Sequence, residues 1–211
     1  MMVGQTVEDT TAGNVTRGHG LLEGFLARQR ARMANKLIRP ALRTGRILDV
    51  GCGSYPFFLH NTAFREKYGV DQVVEVGSKP QAESNGLTLL HYDAEEELRL
   101  PFDTEYFDVV TMLAVFEHIK PEVLPPLLNE IYRVLKPGGM YVMTTPASWS
   151  DGLLKIMARL RLVSADEIDE HEDAYTHGQI ASVFQQTDFS ESQIKLGYFE
   201  MFLNMWATAS K

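Results

Sequence analysis

Two short stretches of this sequence carry residue types that suit a nucleotide-like ligand, and two more could move a proton. Ile47–Gly53 reads ILDVGCG: a β-branched run ends in an acid, Asp49, and opens into Gly51 and Gly53. Glycine at both places lets a turn tighten and lets backbone N–H groups approach a bound molecule closely. Asp71 stands twenty residues after Gly51, at the end of the next strand-like run, YGVD. A carboxylate there can accept two hydrogen bonds from a ribose diol, as the acid of a dinucleotide fold does. Glu117-His118 and His171-x-x-x-Tyr175 hold the candidate proton-transfer groups. Histidine titrates near neutrality, which suits a general base.

The segments that must position these residues alternate in type. Strand-like runs are expected at Arg46–Val50, Tyr68–Val73, Leu87–Tyr92, Phe107–Met112 and Met140–Thr145, with a final pair near Ser192–Leu196 and Glu200–Thr208. Leu124, Leu127, Leu128, Ile131 and Leu135 recur at helical spacing, with Pro125 and Pro126 tolerable in a first turn and Pro137-Gly138-Gly139 as the stop. An amphipathic helix or helix pair is expected over Leu21–Leu42, and further helices near Leu153–Leu162 and Thr176–Gln186, the last with Thr176 as its N-cap. Strands alternating with helices predict an α/β fold: a Rossmann-like three-layer sandwich, its seven-stranded sheet mostly parallel and closed by an antiparallel C-terminal hairpin. Ligands of such sheets bind beyond the carboxyl ends of the strands.

The 211 residues fit one domain, divided here into a tail with a basic amphipathic helical segment, 1–45, and an α/β unit, 46–211. A hydrophobic share of 45% and a charged share of 23% are ordinary for a globular chain. The lone Cys52 excludes an internal disulfide and fits a reducing compartment. No apolar run approaches the roughly 20 residues of a membrane span, and residues 1–14 show no signal-peptide pattern. The cytoplasm is the expected location. A net charge of −8 argues against bulk nucleic-acid binding. Yet Arg28–Arg46 holds seven basic residues and no acid, so the remainder sums to −15. Such a basic face is either a solvated surface or a contact for an anionic partner or substrate.

Asp49-Val50-Gly51-Cys52-Gly53 resembles the first motif of class I S-adenosylmethionine-dependent methyltransferases. Four later runs resemble that family in order: Tyr92-Asp93-Ala94, Leu100-Pro101-Phe102, Phe107-Asp108-Val109-Val110 and Leu135-Lys136-Pro137-Gly138-Gly139. The resemblance implies that Asp49, Gly51, Cys52 and Gly53 line the methionine part of the cofactor, and that Asp71 takes the ribose hydroxyls. It places Gln72 and Val73 beside the adenine, Asp93 and Ala94 near its amine, and Met112 and Leu113 along the fourth-strand wall. It further implies methyl transfer to a small-molecule or glycan-like acceptor, oxygen slightly favoured, with S-adenosylhomocysteine as product. The sequence departs from the family where a third glycine is usual, since Tyr55 and then Pro56 stand there. Pro56 also occupies the third glycine position of a nicotinamide fingerprint, which weakens a dehydrogenase reading.

Plainer readings stand beside these. His118 could simply cap the following helix, and Cys52 could be a small packed side chain. Six acids between Asp166 and Asp173 surround His171, but their spacing repeats no metal site, so no metal is expected. A non-catalytic cofactor-binding subunit would carry the same motifs, and oligomeric state cannot be read from them.

Overall fold

Alternation of side chains along the strands decides the layering. The computed structural model describes residues 23–74, 81–82, 86–150 and 175–211. The expected helix over Leu153–Leu162, the tail before residue 23 and His171 lie outside the described residues. Ile47, Val109 and Val142 face one side of the sheet and pack with Ala31, Ala34, Ile38 and Leu59. Their neighbours Leu48, Val110, Tyr141 and Met143 face the other side and meet Leu124, Leu128, Ile131, Ile180 and Phe184. Strands buried on both faces need helices on both faces. The three layers follow.

The strands are β1 Arg46–Val50, β2 Glu66–Asp71, β3 Gln81–Ala82, β4 Leu87–His91, β5 Phe107–Leu113, β6 Leu135–Pro146, β7 Lys195–Phe199 and β8 Asn204–Ser210. They pair in the order β3-β4-β2-β1-β5-β6-β8-β7. From β4 to β6 the pairs are parallel, and β8 joins β6 antiparallel with β7 as its hairpin partner. The expected seven strands and closing hairpin are present. The two-residue β3, antiparallel to β4, adds an eighth strand that is too short to read from periodicity. Strand order reverses between β1 and β5, so a crevice opens there at the carboxyl edge.

The helices are α1 Glu23–Leu37, α2 Phe57–His60, α3 Leu124–Val134 and α4 His177–Phe184. Pro40 opens a separate 3-10 turn, Pro40–Thr44, so the long basic helix ends earlier than its apolar pattern suggests. Thr176 caps α4 as expected, in a capping box with Gln179. The stretch Pro137-Gly138-Gly139 does not stop α3. That helix ends at Val134, Leu135 already pairs with Phe107, and the glycines bulge out before Met140 pairs with Val109. The final strands start later than expected because a 3-10 turn takes Glu191–Gln193 and left-handed residues take the turn at Glu200–Phe202.

Most motif residues distant from the crevice brace the sheet's amino edge. Asp108 accepts hydrogen bonds from the Arg46 N–H at 2.8 Å and from Lys136 Nζ at 2.7 Å. Arg133 donates to the carbonyls of Leu100 and Phe102, and Glu130 accepts from the Leu100 N–H. The loop at Leu100–Phe102 is thereby pinned to α3. Ile131 on α3 is fully buried against the sheet. Ile131→Ala is expected to cost about 2–5 kcal/mol, read as a lower urea midpoint at constant slope; a cost near zero would place α3 outside the cooperative core.

Candidate functional site

The turn after β1 is a left-handed device held from β2. Gly51 and Gly53 have φ of 76° and 72°, a region that only glycine enters at low cost. The N–H groups of Gly51 and Cys52 both donate to the Val70 carbonyl, at 2.8 and 3.2 Å. The Gly53 N–H donates to Asp71 Oδ2 at 2.7 Å, and the Val73 N–H donates to Asp71 Oδ1 at 3.0 Å. Asp71 is buried at 4% exposure. The acid expected to meet a ribose therefore also braces the glycine loop.

Two close approaches explain the glycine and cysteine positions. A Cβ on Gly51 would stand 2.3 Å from Val115 Cγ2, so the chain after β5 closes down on the loop. A Cβ on Gly69 would meet Cys52 Sγ at 2.7 Å. Cys52 is a small buried side chain seated over β2, which fits the plainer reading of it.

Asp49 faces the neighbouring strand. The Thr111 hydroxyl donates to its Oδ1 at 2.6 Å. Burial pushes the Asp49 carboxyl up to about 7; the Thr111 hydrogen bond opposes this and the nearby Asp71 charge adds to it. A buried carboxyl in that state gains from any cation placed beside it.

The remaining cofactor candidates lie along the same edge. Gln72 and Val73 are exposed just after β2. Asp93 follows β4 and turns its side chain to the Glu95 N–H at 2.8 Å, while Ala94 is half-buried beside it. Met112 is fully buried and Leu113 half-buried at the end of β5, followed by Ala114 at φ 55°. Tyr55 does not extend along the loop; its ring lies against His60, centroids 4.9 Å apart.

Of the proton-transfer candidates, His118 closes the 3-10 turn Phe116–His118 and is half-buried at the carboxyl edge. Tyr175 is buried, its ring edge-on to Phe116 at 4.8 Å. The fold thus brings Tyr175 to the turn that carries His118, across 57 positions of sequence. Glu117 received no role from the sequence. Its side chain is buried, and Oε2 has no hydrogen-bond partner among the described residues. No local pattern signals this, because adjacent residues of a 3-10 turn divide between core and cleft only once the turn is docked. Among the described residues no cluster of metal-binding side chains occurs.

The Asp49 environment yields a pH dependence. An unfolded aspartate ionises near 4, whereas the folded chain keeps this proton to about pH 7. The stabilising contribution is therefore complete below about pH 4 and is lost as pH rises toward 7. Asp49→Asn removes that slope. Thermal midpoints of wild type should fall relative to the variant between pH 5 and 7.5; parallel profiles would mean that Asp49 ionises freely.

Comparison with known proteins agrees with this geometry. Residues 48–143 match the profile of a methyltransferase domain family. A demethylmenaquinone methyltransferase of Staphylococcus epidermidis is 28% identical over 146 residues, covering 63% of this chain and 57% of that protein. Its counterpart from Symbiobacterium thermophilum is 36% identical over 103 residues, covering 46% and 40%. The matches thus span 57% and 40% of the length of these relatives. A methyltransferase structure from Archaeoglobus fulgidus superposes with a TM-score of 0.63 at 19% identity, covering 88% of this chain and 94% of that one. A Haemonchus contortus phosphoethanolamine N-methyltransferase, solved with S-adenosylhomocysteine, superposes at 0.60 with 18% identity over 87% and 53%. The braced glycine loop, the strand order and the match over residues 48–143 agree, and this chain resembles the class I S-adenosylmethionine-dependent methyltransferases.

Proposed function

We propose that this chain transfers the methyl group of S-adenosylmethionine to a small-molecule or glycan-like acceptor, oxygen preferred, and releases S-adenosylhomocysteine. The observation that carries the reading is the glycine loop drawn onto β2 by the buried Asp71. Val115 closes on Gly51, where an added Cβ would stand at 2.3 Å, and this holds the loop in a tight turn of the kind that suits a cofactor's amino-acid tail. The names of the curated relatives support a small-molecule acceptor.

Bound S-adenosylmethionine would supply an electrophilic methyl group for in-line displacement. The chain's own residues supply position and charge. Asp71 is the acid that takes the ribose hydroxyls. Val73, 46% exposed at the end of β2, offers an apolar edge to the adenine, with Gln72 next to it and Asp93 and Ala94 near its amine. Gly51, Cys52 and Gly53 line the methionine part, with Met112 and Leu113 on the opposite wall. Asp49 gives up its proton when a cationic group settles nearby. Alignment alone accounts for much of such a rate, on the order of 7–11 kcal/mol in well-oriented model reactions. His118 at the crevice edge accepts the acceptor's proton, and Tyr175 fixes the turn that presents it. His171, outside the described residues, is a second candidate for contact with the acceptor.

At 100 times its Kd, S-adenosylhomocysteine should stabilise the chain by about 2.7 kcal/mol, a rise of roughly 5–10 °C in melting temperature. Asp71→Asn should weaken that ligand at least tenfold. No shift at millimolar ligand would overturn the cofactor assignment. His118→Ala should bind S-adenosylhomocysteine normally and lose about 10²–10⁴-fold in turnover. An unchanged rate would remove His118 from proton transfer. Tight binding without turnover on any acceptor would favour the non-catalytic subunit.

A further inference from the structure

The carboxyl edge carries a group of large apolar side chains that the core does not use. Met201 is 87% exposed, Phe202 64%, Trp149 56% and Tyr198 41%. They belong to one place, the β7–β8 turn and the end of β6 against which it rests. The Ala147 N–H donates to the Leu203 carbonyl at 2.9 Å, and the Leu203 N–H donates to the Glu200 carbonyl at 3.1 Å. Asn204 Nδ2 donates to Glu200 Oε2. Glu200, Met201 and Phe202 are three consecutive non-glycine residues in the left-handed region, with φ of 51°, 54° and 71°. Such a tip would be relaxed by glycine. Here the turn is braced at its base and keeps methionine and phenylalanine in solvent.

A strip of cations lies along α1. Arg39, just past the end of α1, donates to the Gly138 carbonyl at the sheet's amino edge. The helix packs against β6, the strand that pairs with β8. Its first half therefore extends toward the carboxyl edge, the edge that carries the tip. Phe25 is 47% exposed, and Arg28, Arg32 and Lys36 are exposed on the same face at spacings of three, four and four. No acid occurs from Arg28 to Arg46.

We propose that the β7–β8 tip and the first half of α1 dock this chain on an anionic lipid bilayer. Met201 and Phe202 enter the interfacial layer, and Arg28 and Arg32 meet headgroup phosphates. A stable protein interface takes roughly 20–30 residues a side, whereas this patch is a few apolar side chains on a convex turn. A deformable solvent suits that shape, and the acid-free cation strip selects a negatively charged one. No helix among the described residues is long and apolar enough to cross a membrane, so the contact is one of surface docking. It lies on the same edge as the glycine loop. A docked molecule would turn its crevice toward the lipid, from which a lipophilic acceptor could enter. The docking itself does not depend on the methyl-transfer reading.

The full chain should be mixed with extruded phosphatidylcholine vesicles, with and without one quarter phosphatidylglycerol, and sedimented without cofactor. Binding is expected to the anionic vesicles at 50 mM salt and to drop at least fivefold at 500 mM salt. Met201→Ser/Phe202→Ser and Arg28→Glu/Arg32→Glu should each lower it at least fivefold while keeping the wild-type melting temperature. Absence of binding to anionic vesicles, or undiminished binding by both double variants, would overturn the proposal. So would a dimer seen in sedimentation velocity that the tip variants abolish while vesicles remain unbound, since the patch would then belong to a second copy. Thermal shift with S-adenosylhomocysteine reads the cofactor site separately.

Discussion

One buried carboxylate organises this site. Asp71 receives the Gly53 and Val73 N–H groups at 2.7 and 3.0 Å and so ties the loop after β1 to the end of β2. Glycines are the residues that lose most freedom on ordering, and a loop built on two of them needs an outside anchor. Asp71 is that anchor from the adjacent strand. Its charge also reaches Asp49, where burial is the larger influence and pushes the proton affinity up to about 7. Burial and the neighbouring Asp71 charge favour a protonated Asp49 in the free chain, and a ligand bringing positive charge would offset both.

The two edges of the sheet divide the work. At the amino edge Asp108, Lys136, Glu130 and Arg133 join turns to strands and helices through partly buried ion pairs and backbone caps. At the carboxyl edge Asp49 receives the Thr111 hydroxyl and Asp71 receives backbone N–H groups. The first arrangement favours rigidity. The second sets two buried acids beside the crevice. Orphan polar atoms follow the same division, since Glu117 Oε2 is buried at the carboxyl edge without a described partner.

The exposed tip of β7–β8 belongs to that same edge, yet its chemistry is opposite. Buried acids suit cationic and polar ligands, while Met201 and Phe202 stand in solvent. Both features are placed by β6, which supplies a wall of the crevice on one side and pairs with β8 on the other. A surface that meets lipid at the tip and a small molecule in the crevice would bring the two phases together at a separation of a few strands, each about 4.8 Å wide.

Much of this was legible before any coordinates. Strand-length apolar runs, helical spacing over Leu124–Leu135, and the pair of Gly51–Gly53 and Asp71 are local patterns, and local patterns specify element type and the loops that follow. Boundaries were less legible where backbone geometry overrides pattern: the glycines after Leu135 form a bulge rather than a helix stop, and left-handed Glu200–Phe202 displaces both final strands. The sequence by itself determined the α/β class, the glycine loop and the family resemblance, because these rest on residue type and spacing along the chain. Tertiary structure alone decided that Asp71 braces the loop, that Tyr175 meets Phe116, that Glu117 is buried, and that the β7–β8 turn leaves Met201 and Phe202 in solvent. Each depends on which strands become neighbours, and pairing across the sheet joins residues that no local pattern relates.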